Sequence, residues 1–193
     1  MGHGDSSHTA SAKLRTMTQK DLDMIKTNPK FSGSAQRGTD IHLDMQNYFS
    51  GKSNLVTEKY KPWTEPLFSD QLFESWWPVI GGIEAEVCDL RRMIGGKLDL
   101  LLQHSETGDL AIADLKTKGS ATSPVSKCHR SQIGGYINLL ESNHRGLGGR
   151  ISKGFILWSR PNTPLKVTTY NSEECIDKYL TARDVYFKQL PSW

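Results

Sequence analysis

Apolar residues recur along this chain with two periods, and the change from one to the other marks where helices give way to strands. From about Ser34 or Thr39 to Phe49, the positions Ile41, Met45, Tyr48 and Phe49 share one helical face, and Gly51 ends it. Upstream, Thr18 and Asp21 form a helix start. That helix stops before Pro29, because the residue preceding a proline is pushed out of the helical region. Lys52 to Pro66 is polar and basic with two prolines and reads as a loop, and Ser69 to Trp77 as a short amphipathic segment closed by Pro78. The period then falls to two. Ile83, Ala85 and Val87 alternate with Glu84, Glu86 and Cys88, which places Glu84 and Glu86 on one face of a half-buried strand. Lys97 to Gln103 and Leu110 to Lys116 are two further strands around the polar turn His104 to Asp109. Ser123-Pro124 opens a helix that carries Gln132, Tyr136 and Leu140 and ends at Asn143 to Gly146. Phe155 to Trp158 and Leu165 to Tyr170 are closing strands around a turn at Pro161-Asn162, followed by a helix capped by Asn171 with Glu174 three residues later. This order predicts an α/β fold with a mixed central sheet flanked by helices.

Composition narrows the reading. At 193 residues and 36% hydrophobic content the chain suits one domain, residues 16–193, behind a mobile tail, residues 1–15, rich in Gly, Ser and His. No run approaches the roughly 18 apolar residues of a membrane span and the first residues hold no apolar signal core, so the expectation is a soluble, intracellular, non-secreted protein with no membrane partner. Cys88, Cys128 and Cys175 are too far apart for a disulfide framework or a zinc or iron-sulfur quartet. A net charge of +3 does not announce a nucleic-acid partner, but basic residues cluster locally, notably from Lys116 and Lys118 through Lys127 to Arg130.

The chemistry concentrates in Gly96-Lys97-Leu98-Asp99 and Ala113-Asp114-Leu115-Lys116. If His104 faces Asp109 across the turn, Asp99 falls opposite Asp114, about 5 Å away at the backbone. Like charges directly opposite one another destabilise a hairpin unless a cation lies between them. Period two puts Lys116 on the face of Asp114. Hard oxygen ligands beside an ammonium suit Mg²⁺ or Mn²⁺ and point to phosphodiester hydrolysis. Asp114-Leu115-Lys116 is the one acid-any-lysine triplet in the sequence.

Four segments in order resemble the PD-(D/E)XK nuclease superfamily in its RecB-like exonuclease branch, among mitochondrial and phage exonucleases. They are Arg37 to His42, Gly96 to Asp99, Asp114 to Lys116 and Gln132 to Tyr136, and the similarity covers about Arg37 to Leu190. The resemblance implies a restriction-endonuclease-like core and a Mg²⁺- or Mn²⁺-dependent DNA exonuclease. It would act on single-stranded DNA or free ends, in replication, repair or recombination. It makes His42, Glu84, Asp99, Asp114 and the Leu115 carbonyl the metal set, and Asp99, Asp114, Lys116, Gln132 and Tyr136 the catalytic set. Arg37, Lys118, Lys127 and Arg130 become DNA contacts. The iron-sulfur cysteines of some relatives are absent, so no cluster is expected.

Other readings stand beside these. His42 shares its helical side with Met45 and Phe49 and, without the resemblance, reads first as a core histidine. Glu86 competes with Glu84, and Gln132 and Tyr136 read also as a partly buried helix face. Trp63, Phe68, Phe73, Trp76 and Trp77 are core packing or a base-stacking wall, with Lys52 to Pro66 as the part that encloses DNA. An endonuclease of the restriction or junction-resolving kind and a non-catalytic DNA-binding module are the alternative functions.

Overall fold

The computed structural model describes residues 29–125 and 129–188, with side chains from Gly33 onward. The expected tail, the Thr18 helix start and Lys127 fall outside that span. Two compact units divide the chain, residues 1–39 and 40–193. What is described of the first is the leading part of helix α1 (Pro29–Phe49), where the Thr39 hydroxyl donates to the Ala35 carbonyl at 3.2 Å. Helix α1 begins earlier than its apolar stripe suggests. Pro29 opens it, because a first-turn position needs no N–H and favours the proline φ.

The second unit holds the rest of α1, helices α2 (Lys61–Phe68), α3 (Leu72–Ser75), α4 (Arg130–Asn143) and α5 (Ser172–Lys188), and strands β1 (Trp76–Asp89), β2 (Ile94–His104), β3 (Leu110–Thr117), β4 (Ile151–Arg160) and β5 (Thr163–Asn171). The five strands form one sheet in the order β1-β2-β3-β4-β5. β3 and β4 run parallel, with α4 in the connection, and the other neighbours are antiparallel. The predicted α/β class, a mixed central sheet flanked by helices, is what the chain adopts. One face of the sheet packs Leu98, Leu101, Ile112, Ile156 and Trp158 against Ile133 and Ile137 of α4 and Cys175 of α5. The other packs Leu100, Leu102, Ala113, Leu115 and Leu157 against Ile41 and Met45 of α1 and Leu67 of α2. Among the described residues no helix is long and apolar enough to cross a membrane.

Four further boundaries differ from those that the sequence predicts. Lys52 to Pro66 is not a loop: two 3₁₀ turns (Ser53–Leu55 and Glu58–Tyr60) lead into α2. Pro62 suits the first turn of α2, and the carbonyl that Pro66 leaves without its i+4 donor, that of Pro62, receives the Asn162 N–H at 2.7 Å. The amphipathic segment before Pro78 yields only the four-residue α3. Strand β1 starts at Trp76 and runs through Pro78, which an edge strand tolerates. Ser123-Pro124 does not open α4, which begins at Arg130. The closing elements follow expectation, with the Asn171 carboxamide oxygen accepting the Glu173 N–H at 2.8 Å as the cap of α5.

Helix α4 carries Gly134-Gly135, poor helix formers whose place is set by packing. A Cβ on Gly134 would lie 2.0 Å from the Cys175 carbonyl oxygen of α5, and one on Gly135 would lie 3.3 Å from the Tyr179 ring. Both glycines let α4 and α5 approach closely enough to hold Gln132 and Tyr136 against the sheet.

Candidate active site

The site lies where the sheet forks. Strands β2 and β3 pair from Gln103↔Leu110 to Leu100↔Ala113, the register expected from the turn, with the His104 N–H on the Asp109 carbonyl at 2.8 Å. The next residues in line are Asp99 and Asp114, and there the ladder stops. β3 stays paired to β4 as far as Thr117, so its second half has an edge that β2 no longer covers. The Asp99 side chain fills that gap, its Oδ2 accepting the Leu115 N–H at 2.7 Å.

A second irregularity brings in Glu84. Its φ is +51°, a left-handed value rare for a residue with a Cβ, in a strand whose register shifts between Pro78 and Ile83. Alternation breaks there: Ile83 packs on the face of α1, while Ala85 and Val87 pack on the face of α4. Glu84 and Glu86 therefore do not share one regular face. Glu84 is half-buried opposite Asp99 and turned into the site, whereas Glu86 is exposed.

Helix α1 supplies His42 to the same point. Its Nδ1 lies 3.2 Å from Glu84 Oε1 and 3.3 Å from Asp99 Oδ1, and its Nε2 lies 3.2 Å from the Leu115 carbonyl oxygen. All three neighbours only accept hydrogen bonds, so both ring nitrogens must donate and the ring is an imidazolium. Burial works against that charge, but the hydrogen bonds and negative charges of Asp99 and Glu84 outweigh it and raise the His42 pKa to about 10. Lys97, two residues before Asp99, adds a further positive charge 2.8 Å from Glu84 Oε2. The carboxyl of Glu84 resists ionisation through burial, yet His42 and Lys97 hold its pKa below the ordinary value.

Asp114, 1% exposed, is engaged separately. Its Oδ2 faces the Lys116 ammonium at 2.6 Å and its Oδ1 accepts from Gln132 Nε2 at 2.7 Å. The Gln132 amide also donates to the Tyr136 hydroxyl at 3.0 Å. Burial and the charge of Asp99 push the Asp114 pKa up to about 6 against the pull of Lys116. Burial and the surrounding carboxylates hold the Tyr136 phenol protonated, against its hydrogen bond from Gln132. Gly96 makes room for that ring: a Cβ there would come within 3.1 Å of Tyr136 Cε1.

These residues fit a divalent cation. The ligand atoms of His42, Glu84 and Asp99 all lie within 4.8 Å of one another, and this group of three could hold a metal ion. The Leu115 carbonyl faces the same point. The buried Asp114 Oδ2 has no directed hydrogen bond among the described residues, only the ammonium beside it. The sequence put the cation between Asp99 and Asp114, whereas the structure gathers His42, Glu84 and Asp99 in one cluster and gives Asp114 to Lys116 and Gln132.

The four expected DNA contacts are less uniform. Lys118 lies with its ammonium 5.1 Å from the centre of the Trp158 ring. Arg130 faces Glu174 at 3.3 Å and stacks over Tyr170 at 4.6 Å, at the seam of α4 and α5. Arg37 belongs to the first unit. The sequence reading passed over Lys97, although it precedes Asp99 by the two residues that put both on one strand face. His129, a member of the basic cluster that runs from Lys116 to Arg130, has a pKa that burial and the charges of Lys116 and Lys118 hold low against a hydrogen bond with Gln132.

The comparisons with known proteins bear on the fold. No protein-family model matches the sequence, and no curated protein matches it in sequence. Among solved structures, the chain is similar to a crystal structure from Eubacterium rectale described as a "putative exonuclease", with a TM-score of 0.50 and 14% identity over 79% of this chain and 65% of that one. It therefore spans about 65% of that protein's length. A second crystal structure, of SSO0001, has a TM-score of 0.43 and 15% identity over 95% of this chain and 83% of that one.

Proposed function

We propose that this chain is a divalent-metal-dependent deoxyribonuclease, an exonuclease acting on single-stranded DNA or free DNA ends in replication, repair or recombination. One observation carries the reading. Where β2 and β3 part, an imidazole, two carboxylates and a backbone carbonyl converge beside a buried Asp114–Lys116 pair. The fold likeness to a protein described as a "putative exonuclease" is consistent with it. Mg²⁺ or Mn²⁺ suits the oxygen-rich set, and the imidazole favours Mn²⁺ of the two. When bound, such a cation supplies Lewis-acid chemistry, neutralising charge on phosphate oxygens and lowering the pKa of water.

The chain's own residues do the rest. Asp99 and Glu84 are held ready by His42, so the ligand atoms need little rearrangement. Gln132, anchored to Tyr136, fixes the carboxylate of Asp114, which in turn holds the Lys116 ammonium. That ammonium is the positive charge available to a phosphate oxygen as the bond between phosphorus and the leaving sugar oxygen breaks.

Incubation with Mg²⁺ or Mn²⁺ and matched linear and circular single strands tests the reading. Mononucleotides released from linear strands alone are expected. Rapid cutting of circles would replace the exonuclease by an endonuclease, and binding without cleavage would leave a non-catalytic DNA-binding module.

A further inference from the structure

Helix α5 carries Tyr186 and Phe187, which are 60% and 38% exposed, in its last described turn, and Met93 of the β1–β2 turn is 87% exposed. These apolar side chains line one groove of about 740 Å³, together with Arg92, Tyr179 and Arg183. The groove reaches Gln132, the residue that holds Asp114. Arg92 also lines an adjoining cleft of about 430 Å³, where Arg91 and Arg145 are further cations. The two carboxylates of that cleft are already occupied. Asp89 accepts the backbone N–H groups of Arg91 and Arg92, and Glu141 those of Gly146 and Gly148. The Tyr179 hydroxyl is buried in the groove's wall with no hydrogen-bond partner among the described residues.

We propose that this groove is the track for single-stranded DNA leading to the site, its bases stacked on Tyr186 and Phe187 and its phosphates passing Arg92 toward Arg91 and Arg145. The proposal rests on the nuclease reading above for its choice of DNA, and three features support it. The groove reaches Gln132, whose amide holds Asp114. Its exposed aromatic faces suit bases that are not already stacked in a duplex. Arg92 is paired with Asp89 at 2.6 Å and Arg183 with Asp184 at 3.0 Å, but Arg91 and Arg145 of the adjoining cleft have no ion pair among the described residues and offer the positive charge that a phosphate backbone requires. The base-stacking wall that the sequence offers as the alternative to core packing is not available in its place. Trp76 is buried against Phe155, Trp63, Phe68 and Phe73 pack on the core of the α1 face, and of the five residues only Trp77 is well exposed.

The test measures Kd for a fluorescein-labelled oligothymidylate by anisotropy in EDTA, where no cleavage occurs. It is paired with hydrolysis of the same strand and of bis(p-nitrophenyl) phosphate in Mn²⁺. The double substitution Tyr186→Ala/Phe187→Ala is expected to weaken oligothymidylate binding by about tenfold or more and to raise its KM alike. The kcat and KM for the small diester should stay unchanged, and Tyr186→Trp should retain binding. Should the double variant fold poorly, Arg91→Ala/Arg145→Ala is expected to weaken binding and flatten its salt dependence by about two contacts' worth. Unchanged Kd in these variants overturns the groove, as does a preference for duplex or for oligouridylate. A changed sedimentation coefficient with unchanged Kd would make the face a contact between copies and also overturn it. If the wild type hydrolyses neither substrate yet the Kd shifts appear, the nuclease reading falls and the groove stands.

Discussion

Binding of a divalent cation at this site must displace the proton now held between His42, Glu84 and Asp99. With both ring nitrogens donating and a pKa of about 10, the imidazolium is the resident cation of the metal-free site. At pH 7 a metal therefore competes with a proton held three pH units beyond its half-point, a penalty of about 4 kcal/mol. That penalty falls by about 1.4 kcal/mol, a factor of ten in Kd, for each pH unit. The perturbation is pH itself, and the assay is calorimetric titration with Mn²⁺ between pH 6.5 and 8.5. The apparent Kd is expected to tighten by about a hundredfold across those two units. About one proton should be released per ion, seen as a dependence of the measured heat on the buffer's ionisation enthalpy. His42→Asn should flatten the profile above pH 7. A wild-type Kd that is independent of pH across this window would refute the reasoning, because the cation would then be binding without displacing the proton.

Further expectations concern the same elements. The folded pKa of His42 is raised from 6.5 to about 10, so in metal-free protein its contribution to stability is fully present below pH 6.5 and is lost as pH rises through about 10. Thermal melts between pH 7 and 10.5 should show Tm falling for the wild type and less for His42→Asn. Lys116→Ala and Asp114→Asn should each lower kcat by about a hundredfold to a thousandfold with the circular dichroism spectrum unchanged, and undiminished cleavage by either would move the site elsewhere. Gly134→Ala drives a Cβ into the α5 backbone at Cys175, where no flexible side chain can give way. Urea unfolding should show it less stable by about 1–3 kcal/mol, and a neutral result would mean that α4 and α5 are not packed this closely.

The elements most legible in the sequence were those with a clean period and an unambiguous turn. The register of β2 on β3 follows from one polar turn of fixed length, and it places Asp99 and Asp114 at equivalent positions. The α1 stripe of Ile41 and Met45 shows in the same way, and both residues are fully buried. What the period could not show was where the pattern breaks. A strict alternation puts Glu84 beside Glu86, and only the left-handed backbone at residue 84 separates them. Nor does sequence alone distinguish a core histidine from one that bridges two acids. His42 lies one residue beyond the fully buried Ile41, yet it faces Glu84, Asp99 and the Leu115 carbonyl. The α2 helix was hidden by its two prolines, since a proline inside a helix is compatible only when another donor reaches the carbonyl it leaves unpaired, as Asn162 does here.

The fork in the sheet ties the site's chemistry to the fold's own hydrogen-bond accounting. Once β2 departs, the N–H and the C=O of Leu115 need other partners, since buried backbone groups left unpaired cost about 1–3 kcal/mol each. Asp99 takes the N–H and His42 faces the C=O. The acid and the imidazole that gather at the cluster are thus also the groups that complete the edge of β3. A cation that drew the Leu115 carbonyl into its own coordination would satisfy the oxygen that His42 now meets, so metal binding and sheet completion need not compete. Truncating Asp99 to alanine, by contrast, removes a charge and exposes the Leu115 N–H at once, and its effect on cleavage could not be separated from its effect on the fold. Asp99→Asn keeps an oxygen for the N–H while removing the charge, and is therefore the substitution that isolates the chemistry.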